Sequence, residues 1–551
     1  MAKDSRRNKI PMLYLCIVLI LFLIFIARIA YIMILENDKG KEYSDPAVAS
    51  SVIRGEIIDR NGNVLANQTR QWALYFRLSA IDDLTKAAVL VSPYTDMSVD
   101  EIISQAQKYT TYALIKNRMT MEEADKLEEA IRNAGMQNEI VVESRSARSY
   151  SSLFHACQLI GFVNAEGVGS EGIEYAYDDV LSPYPGLGED VTYGADVHLT
   201  LDLDVQYLVD VEVQNIAYDH NPDYIMALVA DASTGDILAM SSYPWYDLNY
   251  YGSSSEDERM NRTLAYNYEP GSVFKVFTLA KCMDEGIDTS TPIICDGSET
   301  FTVGDSTFTI NCHSAHGAVD ARNMISLSCN GAIASWCLQL SDEDFYNYLR
   351  LLGFGTRPEL ELGGITSGYL SRPENWSSRS KATIAFGQEI SVNALQIVQA
   401  ATAIANNGVM NSLRIVDRIT DHDGNVIDTG DAYNSKPVMT SRTANEILSY
   451  METAVKEGTA KKAAVGNVDV RAKTGTAEII NPESGSYEDG TNLASTLAIA
   501  GDYIVYFAIS APKGNSVWGA DIAAPACGNV IAGLVRQGKI RTSDQSVIQL
   551  N

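Results

Sequence analysis

Three short polar clusters hold the residue types that serine acyl transfer needs: Ser272-Val273-Phe274-Lys275, Ser328-Cys329-Asn330 and Lys473-Thr474-Gly475-Thr476. A serine is a poor nucleophile at neutral pH until a neighbouring base takes its proton. A lysine can be that base only when desolvation or another cation lowers its pKa. Residues three apart share a helix face, so the Lys275 amine is expected within reach of the Ser272 hydroxyl. Ser328 can relay a proton to a leaving amine, and the Asn330 amide can hold both Lys275 and a substrate peptide group. Lys473 is expected to depress the Lys275 pKa and to attract a substrate carboxylate, to which Thr474 and Thr476 offer hydroxyls. The backbone N–H groups of Ser272 and Thr476 are the candidate oxyanion donors. Gly475 would let its strand approach substrate with no side chain in the way. Alone, S-x-x-K is a chance-level match, with about one or two in a chain this long at average composition. The conjunction of three clusters carries the signal.

Each cluster needs an element to aim it. Pro270 and Gly271 break the chain before an apparently amphipathic helix, Val276 to Met283, which sets Ser272 near a first turn. The S-x-N cluster lies between helical patterns, and K-T-G-T starts a run of small and β-branched residues that reads as a strand. Met226–Asp231 and Gly235–Met240 read as a hairpin around Ala232-Ser233-Thr234, and Val197–Leu201 as a further strand. Strands before a helical middle (about 320–455) and strands after 470 predict an α+β sheet assembled from both ends of a domain. Upstream, Arg54 to Ala66 predicts a hairpin around Asn61-Gly62. Residues 79–134 read as a helical insertion and Glu139–Glu143 as a strand. The glycines from Gly167 to Gly172 have no Walker lysine and are assigned to turns and packing. The Pro- and Gly-containing segment 182–188 marks a domain boundary.

The chain has 551 residues and a formal charge of −28, which excludes nucleic acid as a partner because nothing would neutralise phosphates. Residues 1–9 carry four basic side chains and precede a mostly apolar run over 10–35, long enough to span a bilayer. The basic flank predicts a cytoplasmic N-terminus, one uncleaved anchor and an extracytoplasmic remainder. The eight cysteines lack C-x-x-C spacing. Cys295 and Cys312 are the one pair placed to bridge. His313 and His316 are assigned to a surface loop, and no metal is expected.

On these clusters the chain resembles the class B penicillin-binding proteins. The resemblance includes Arg54-Gly55, Asp59-Arg60-Asn61-Gly62, Gly172-Ile173-Glu174 with Tyr177, Thr234 to Met240, Asn261-Arg262, Phe386-Gly387-Gln388-Glu389, Gln396 and Ala405 to Gly408. It implies a tail (1–9), an anchor (10–35), a strand-rich pedestal or dimerisation-type domain (36–190), a β-lactamase-like transpeptidase domain (191–541) and a C-terminal tail (542–551). The transpeptidase domain would have a central antiparallel sheet flanked by helices. The resemblance also implies cross-linking of peptidoglycan stem peptides, acylation by β-lactams, no cofactor, and divisome partners including a SEDS-type glycosyltransferase. A septal or sporulation role is favoured over elongation, and a catalytically dispensable scaffold is the alternative of another class. A β-lactamase would need a deacylating E-x-x-L-N segment, and none lies between Asn330 and Lys473. The chain departs from the family at Ala472, where glycine is common, at Cys329, and in the polar stretch after Thr476.

Overall fold

The computed structural model describes residues 51–185, 191–480 and 487–542. The anchor and both tails expected from the sequence lie outside these residues, except for residue 542. Among the described residues no helix is long and apolar enough to cross a membrane.

The N-terminal part begins with the expected hairpin. Strands β1 (Ile57–Ile58) and β2 (Val64–Arg77) pair antiparallel, Ile57 opposite Ala66. Asp59 builds the turn: its Oδ1 accepts the N–H groups of Asn61 and Asn63, both at 2.8 Å, and Gly62 takes φ +89°. The insertion holds helices α1 (Leu84–Val91) and α2 (Val99–Ala106), then strand β3 (Tyr112–Met119), then α3 (Met121–Ala134). The strand corrects the all-helical expectation. Its alternation is masked by Lys116, Asn117 and Arg118, and pairing with β2 decides its conformation. Strand β4 (Ile140–Tyr150) closes the sheet on the other side of β2. A separate small core of Leu74, Phe76, Ile102, Leu127 and Ile131 fills this lobe.

A buried ion cluster explains two of the N-terminal motifs. Glu174 is fully buried and accepts from Arg54 Nε at 2.7 Å and Arg148 Nε at 2.6 Å. Arg54 also reaches Asp178 at 2.6 Å, and Arg148 the carbonyl of Gly55 at 2.6 Å. Gly55 must be glycine, because a Cβ there would lie 2.0 Å from the Ala195 carbonyl oxygen.

Strand β5 (Asp196–Leu199) runs parallel to β1 and so continues the N-terminal sheet rather than opening a new one. Helix α4 (Leu203–His220) then leads into the hairpin β6 (Tyr224–Asp231) and β7 (Ile237–Tyr243). Helix α5 (Lys275–Asp284) follows, then the short strands β8 (Ile293–Cys295), β9 (Ser298–Val303), β10 (Ser306–Asn311) and β11 (Gly317–Val319). Helices α6 (Ala321–Leu327), α7 (Asn330–Cys337) and α8 (Ala394–Ala405) make much of the helical middle. Strands β12 (Val416–Thr420) and β13 (Val426–Asp428) return to β5, which completes a seven-stranded sheet.

After α9 (Ser441–Lys456) come strands β14 (Arg471–Ile480), β15 (Tyr487–Ala500) and β16 (Tyr503–Ser510), then α10 (Ala523–Arg536). The central sheet has the order β14-β15-β16-β6-β7 and is antiparallel throughout. It is assembled from both ends of the domain, as the strand pattern predicts. Strands β6 and β16 are buried along nearly their whole length, which a sheet covered on both faces requires. Helix α5 departs from the amphipathic expectation. Its residues from Lys275 to Ala280 are all buried, the signature of a central helix, and Phe274, Phe277 and Phe354 cluster about it with centroids 4.8–5.8 Å apart.

Candidate active site

Ser272 lies in a turn of 3-10 helix, Gly271–Phe274, that runs directly into α5. Gly271 holds φ +57° and donates its N–H to the Gly387 carbonyl at 3.0 Å. A Cβ on Gly387 would come within 2.3 Å of the Gly271 oxygen. The Phe386-Gly387-Gln388-Glu389 segment therefore buttresses the turn that holds Ser272, and the Glu389 N–H reaches Glu269 Oε1 at 2.9 Å. Its role was legible only through resemblance, because the supporting contacts cross more than a hundred residues.

No hydrogen bond joins Lys275 to Ser272 among the described residues. The Lys275 Nζ donates instead to the Ser328 carbonyl at 2.6 Å and lies 3.1 Å from Ser328 Oγ. Lys473 Nζ reaches the same Ser328 Oγ at 2.9 Å and its neighbour's carbonyl, Thr474 O, at 2.8 Å. Ser328 can serve both because of its backbone. It ends α6 in the left-handed region, φ 62° and ψ 42°, at a cost of about 1–2 kcal/mol for a non-glycine residue, and this turns carbonyl and hydroxyl together toward the lysines.

Both lysines are fully buried. Burial lowers the Lys275 pKa to about 8, partly opposed by the Cys329 and Cys312 sulfurs nearby. Lys473 is pushed well below the usual lysine value, first by burial and then by the positive charge of Lys275. The expected depression of Lys275 by Lys473 is replaced by burial as the cause that lowers Lys275, while the charge of Lys275 lowers Lys473. Two such close groups titrate as a pair, and burial disfavours a full charge on both at once. A hydroxyl offers one proton and two lone pairs, so Ser328 can bridge an ammonium on one side and a free amine on the other.

Two further expectations change. Asn330 Nδ2 donates to the Asn311 carbonyl at 2.9 Å and so ties the start of α7 to the end of β10, and no hydrogen bond joins Asn330 to Lys275 among the described residues. Gly475 faces the nucleophile's turn: a Cβ there would lie 2.5 Å from Ser495 Oγ, 3.0 Å from Val273 Cγ1 and 3.3 Å from the Pro270 carbonyl. Its missing side chain lets β14 pack on Ser272's own turn. Alternation along β14 puts Thr474 and Thr476 on one face. Thr474 Oγ1 lies 2.8 Å from Thr459 Oγ1, and Thr476 Oγ1 accepts the Gly519 N–H at 3.2 Å. Thr459 and Gly519 carried no motif and were missed. So was Trp518, which is 44% exposed with its ring 4.9 Å from that of His313. The loop cysteines also converge. The Cys295 and Cys312 sulfurs are 3.7 Å apart, Cys329 Sγ is 3.7 Å from Cys312 Sγ, and His316 Nδ1 is 3.5 Å from Cys295 Sγ.

Comparison with known proteins gives the chain its family. Residues 225–532 match the penicillin binding protein transpeptidase domain, and residues 49–193 the penicillin-binding protein dimerisation domain. The chain is 29% identical to the probable peptidoglycan D,D-transpeptidase FtsI of Caulobacter vibrioides, covering 87% of this chain and 80% of the relative. It is 27% identical to stage V sporulation protein D of Bacillus subtilis, with 93% and 83% covered. Among solved structures, penicillin binding protein 3 of Mycobacterium tuberculosis complexed with aztreonam shares the fold at 22% identity, with a TM-score of 0.70 over 90% of this chain and 98% of that one. The chain belongs to the penicillin-binding protein transpeptidase family, in the class B form that carries an N-terminal dimerisation-type domain.

Proposed function

We propose that the protein is a serine D,D-transpeptidase that cross-links peptidoglycan stem peptides. One observation carries the reading: two buried lysines converge on one serine hydroxyl, beside the turn that holds Ser272. Ser272 Oγ attacks the carbonyl of the penultimate D-Ala in a D-Ala-D-Ala terminus. The C–O ester bond forms, the C–N bond breaks, and the terminal D-Ala leaves with a proton. An acceptor amine then attacks the ester, forms the cross-link amide and returns the proton to Ser272. A β-lactam enters the same first step, but its ring amide opens with the amine still tethered, and the ester persists.

The lysine pair supplies the proton path. A substrate carboxylate beside Lys473 and Thr476 stabilises charge on Lys473. The shared proton then moves from Lys275 through Ser328 to Lys473, which leaves Lys275 as the free base that Ser272 needs. The Ser272 and Thr476 N–H groups are the oxyanion donors in this reading. Labelling with a fluorescent penicillin tests it. Wild type should label and Ser272→Ala should not, and equal labelling of the two would exclude a Ser272 acyl-enzyme.

The biological setting belongs to the same proposal. The apolar run over 10–35 supports a single anchor with the N-terminus in the cytoplasm and the catalytic domain outside. A relative named for sporulation supports a spore-wall role within the septal or sporulation reading, and a SEDS-type glycosyltransferase and divisome proteins are the partners we propose with it. A fluorescent fusion followed through growth and sporulation separates this from elongation, which would place the protein along the lateral wall.

A further inference from the structure

The loop that carries Cys295, Cys312 and His316 meets the middle residue of the S-x-N cluster. Strand β8 ends at Cys295 and pairs with β11, Cys295 opposite Gly317, which sets His316 beside it. The His316 N–H donates to the Cys295 carbonyl at 3.0 Å. Cys312 follows the last residue of β10, and Cys329 is the residue before α7. The three sulfurs and one imidazole nitrogen of His316 all lie within 4.8 Å of one another. A tetrahedral zinc ion with Zn–S bonds of about 2.3 Å holds its sulfurs about 3.8 Å apart, and the imidazole nitrogen slightly closer. The distances here are 3.7, 3.7 and 3.5 Å.

We propose that Cys295, Cys312, Cys329 and His316 bind one divalent cation of the zinc class in a closed Cys3His tetrahedron. A single disulfide uses two sulfurs and leaves the third and the imidazole without a purpose, whereas one ion engages all four. The surroundings fit thiolate ligands. The Gly331 N–H points at Cys312 Sγ from 3.4 Å, the kind of outer contact that orients a metal-bound sulfur. Cys295 and Cys329 are buried, so the ion would be shielded from solvent on two sides.

The consequence falls on the active site. Cys329 sits between Ser328, which bridges the two lysines, and Asn330, which ties α7 to Asn311. An ion joining Cys329 to Cys312 adds a second link between the same two segments and fixes the left-handed turn at Ser328. The cation takes no part in bond making. It positions the residue through which the proton passes.

The test uses full-length protein extracted in detergent and purified without chelator. Elemental analysis should find about one zinc per chain in a closed four-ligand site, lost in Cys312→Ser and in His316→Ala but kept in the control Cys282→Ser. Cobalt(II) exchanged into wild type should give tetrahedral d–d bands with a thiolate charge-transfer band. Both wild-type readouts stand even if a variant fails to fold, and neither depends on transpeptidase activity. Stripping the ion with a chelator should slow penicillin labelling, and zinc should restore it. Metal-free wild type that yields a Cys295–Cys312 disulfide in non-reducing peptide maps would overturn the proposal. So would three thiols that alkylate equally fast with and without added zinc.

Discussion

Lys275 and Lys473 aim their Nζ atoms at one oxygen, the Ser328 hydroxyl, from 3.1 and 2.9 Å. Both are fully buried, and no aqueous shell softens their repulsion. In the proposed mechanism the pair works as one proton-holding unit rather than as a base and a separate carboxylate anchor.

It follows that Lys473→Ala should impair acylation itself and not only substrate affinity. With Lys473 gone, the proton on Lys275 has no partner to move to. The expected loss in the acylation rate constant at saturating penicillin is about 10²–10⁴-fold, the range of a general acid–base contribution. Stopped-flow acylation separates the rate constant from the binding step. A wild-type rate constant with weakened binding alone would refute the coupling.

The pH dependence carries a sign. Lys275 has a pKa of about 8 in the folded chain against an ordinary 10.5. A base must be neutral, so acylation by a penicillin ester, which brings no carboxylate to Lys473, should rise with pH through about 8 and level off above it. The free carboxylate should shift that rise to lower pH, because it draws the proton onto Lys473. Stability follows the same sign. Between about 8 and 10.5 the unfolded chain holds a proton on this lysine that the folded chain has released, so stability rises with pH across that window. Identical pH profiles for ester and acid would remove the carboxylate from the relay.

Gly475 offers a geometric test. In Gly475→Ala the new methyl meets Ser495 Oγ, Val273 and the Pro270 carbonyl together, and the last two belong to the nucleophile's turn. Overpacking of this kind costs about 1–3 kcal/mol, and the displacement of Ser272 should slow penicillin acylation by at least tenfold. Adding Ser495→Ala removes the closest of the three contacts and should restore stability more than rate, because Val273 still has to move. Melting temperature and acylation rate measured on both variants distinguish the two effects.

The sequence exposed what is local and concealed what is assembled. The three clusters, the Asn61-Gly62 turn and the β6/β7 hairpin are local spacing patterns, and each occupies the element its pattern predicts. The sheet's construction from both ends was legible because strand-forming runs bracket a helical middle. Lys275's choice of Ser328 over Ser272 was not legible, because it depends on a left-handed backbone at a serine. Cys329 and His316 converge only after two β-ribbons fold back, so no local spacing announces them. Strand β3 was hidden for a related reason. Its charged residues find partners across the lobe, as Lys116 does with Glu123 at 3.2 Å.

The Arg54–Glu174–Arg148 cluster gives a last prediction, about stability rather than chemistry. Glu174 is fully buried and holds two guanidinium groups, at 2.7 and 2.6 Å. Removing one partner of a buried ionic group leaves the others desolvated and uncompensated, which costs about 3–5 kcal/mol. Glu174→Ala should lose about that much in urea unfolding. Glu174→Gln should lose less, since its amide oxygen still accepts one hydrogen bond. Arg54 keeps Asp178 as a hydrogen-bonded acidic partner, while among the described residues the hydrogen bond left to the Arg148 side chain is the one to the Gly55 carbonyl. Combining Glu174→Ala with Arg148→Met should therefore recover part of the loss by removing the stranded charge. A double variant no more stable than Glu174→Ala would show that the cost lies in lost packing and not in the orphaned guanidinium.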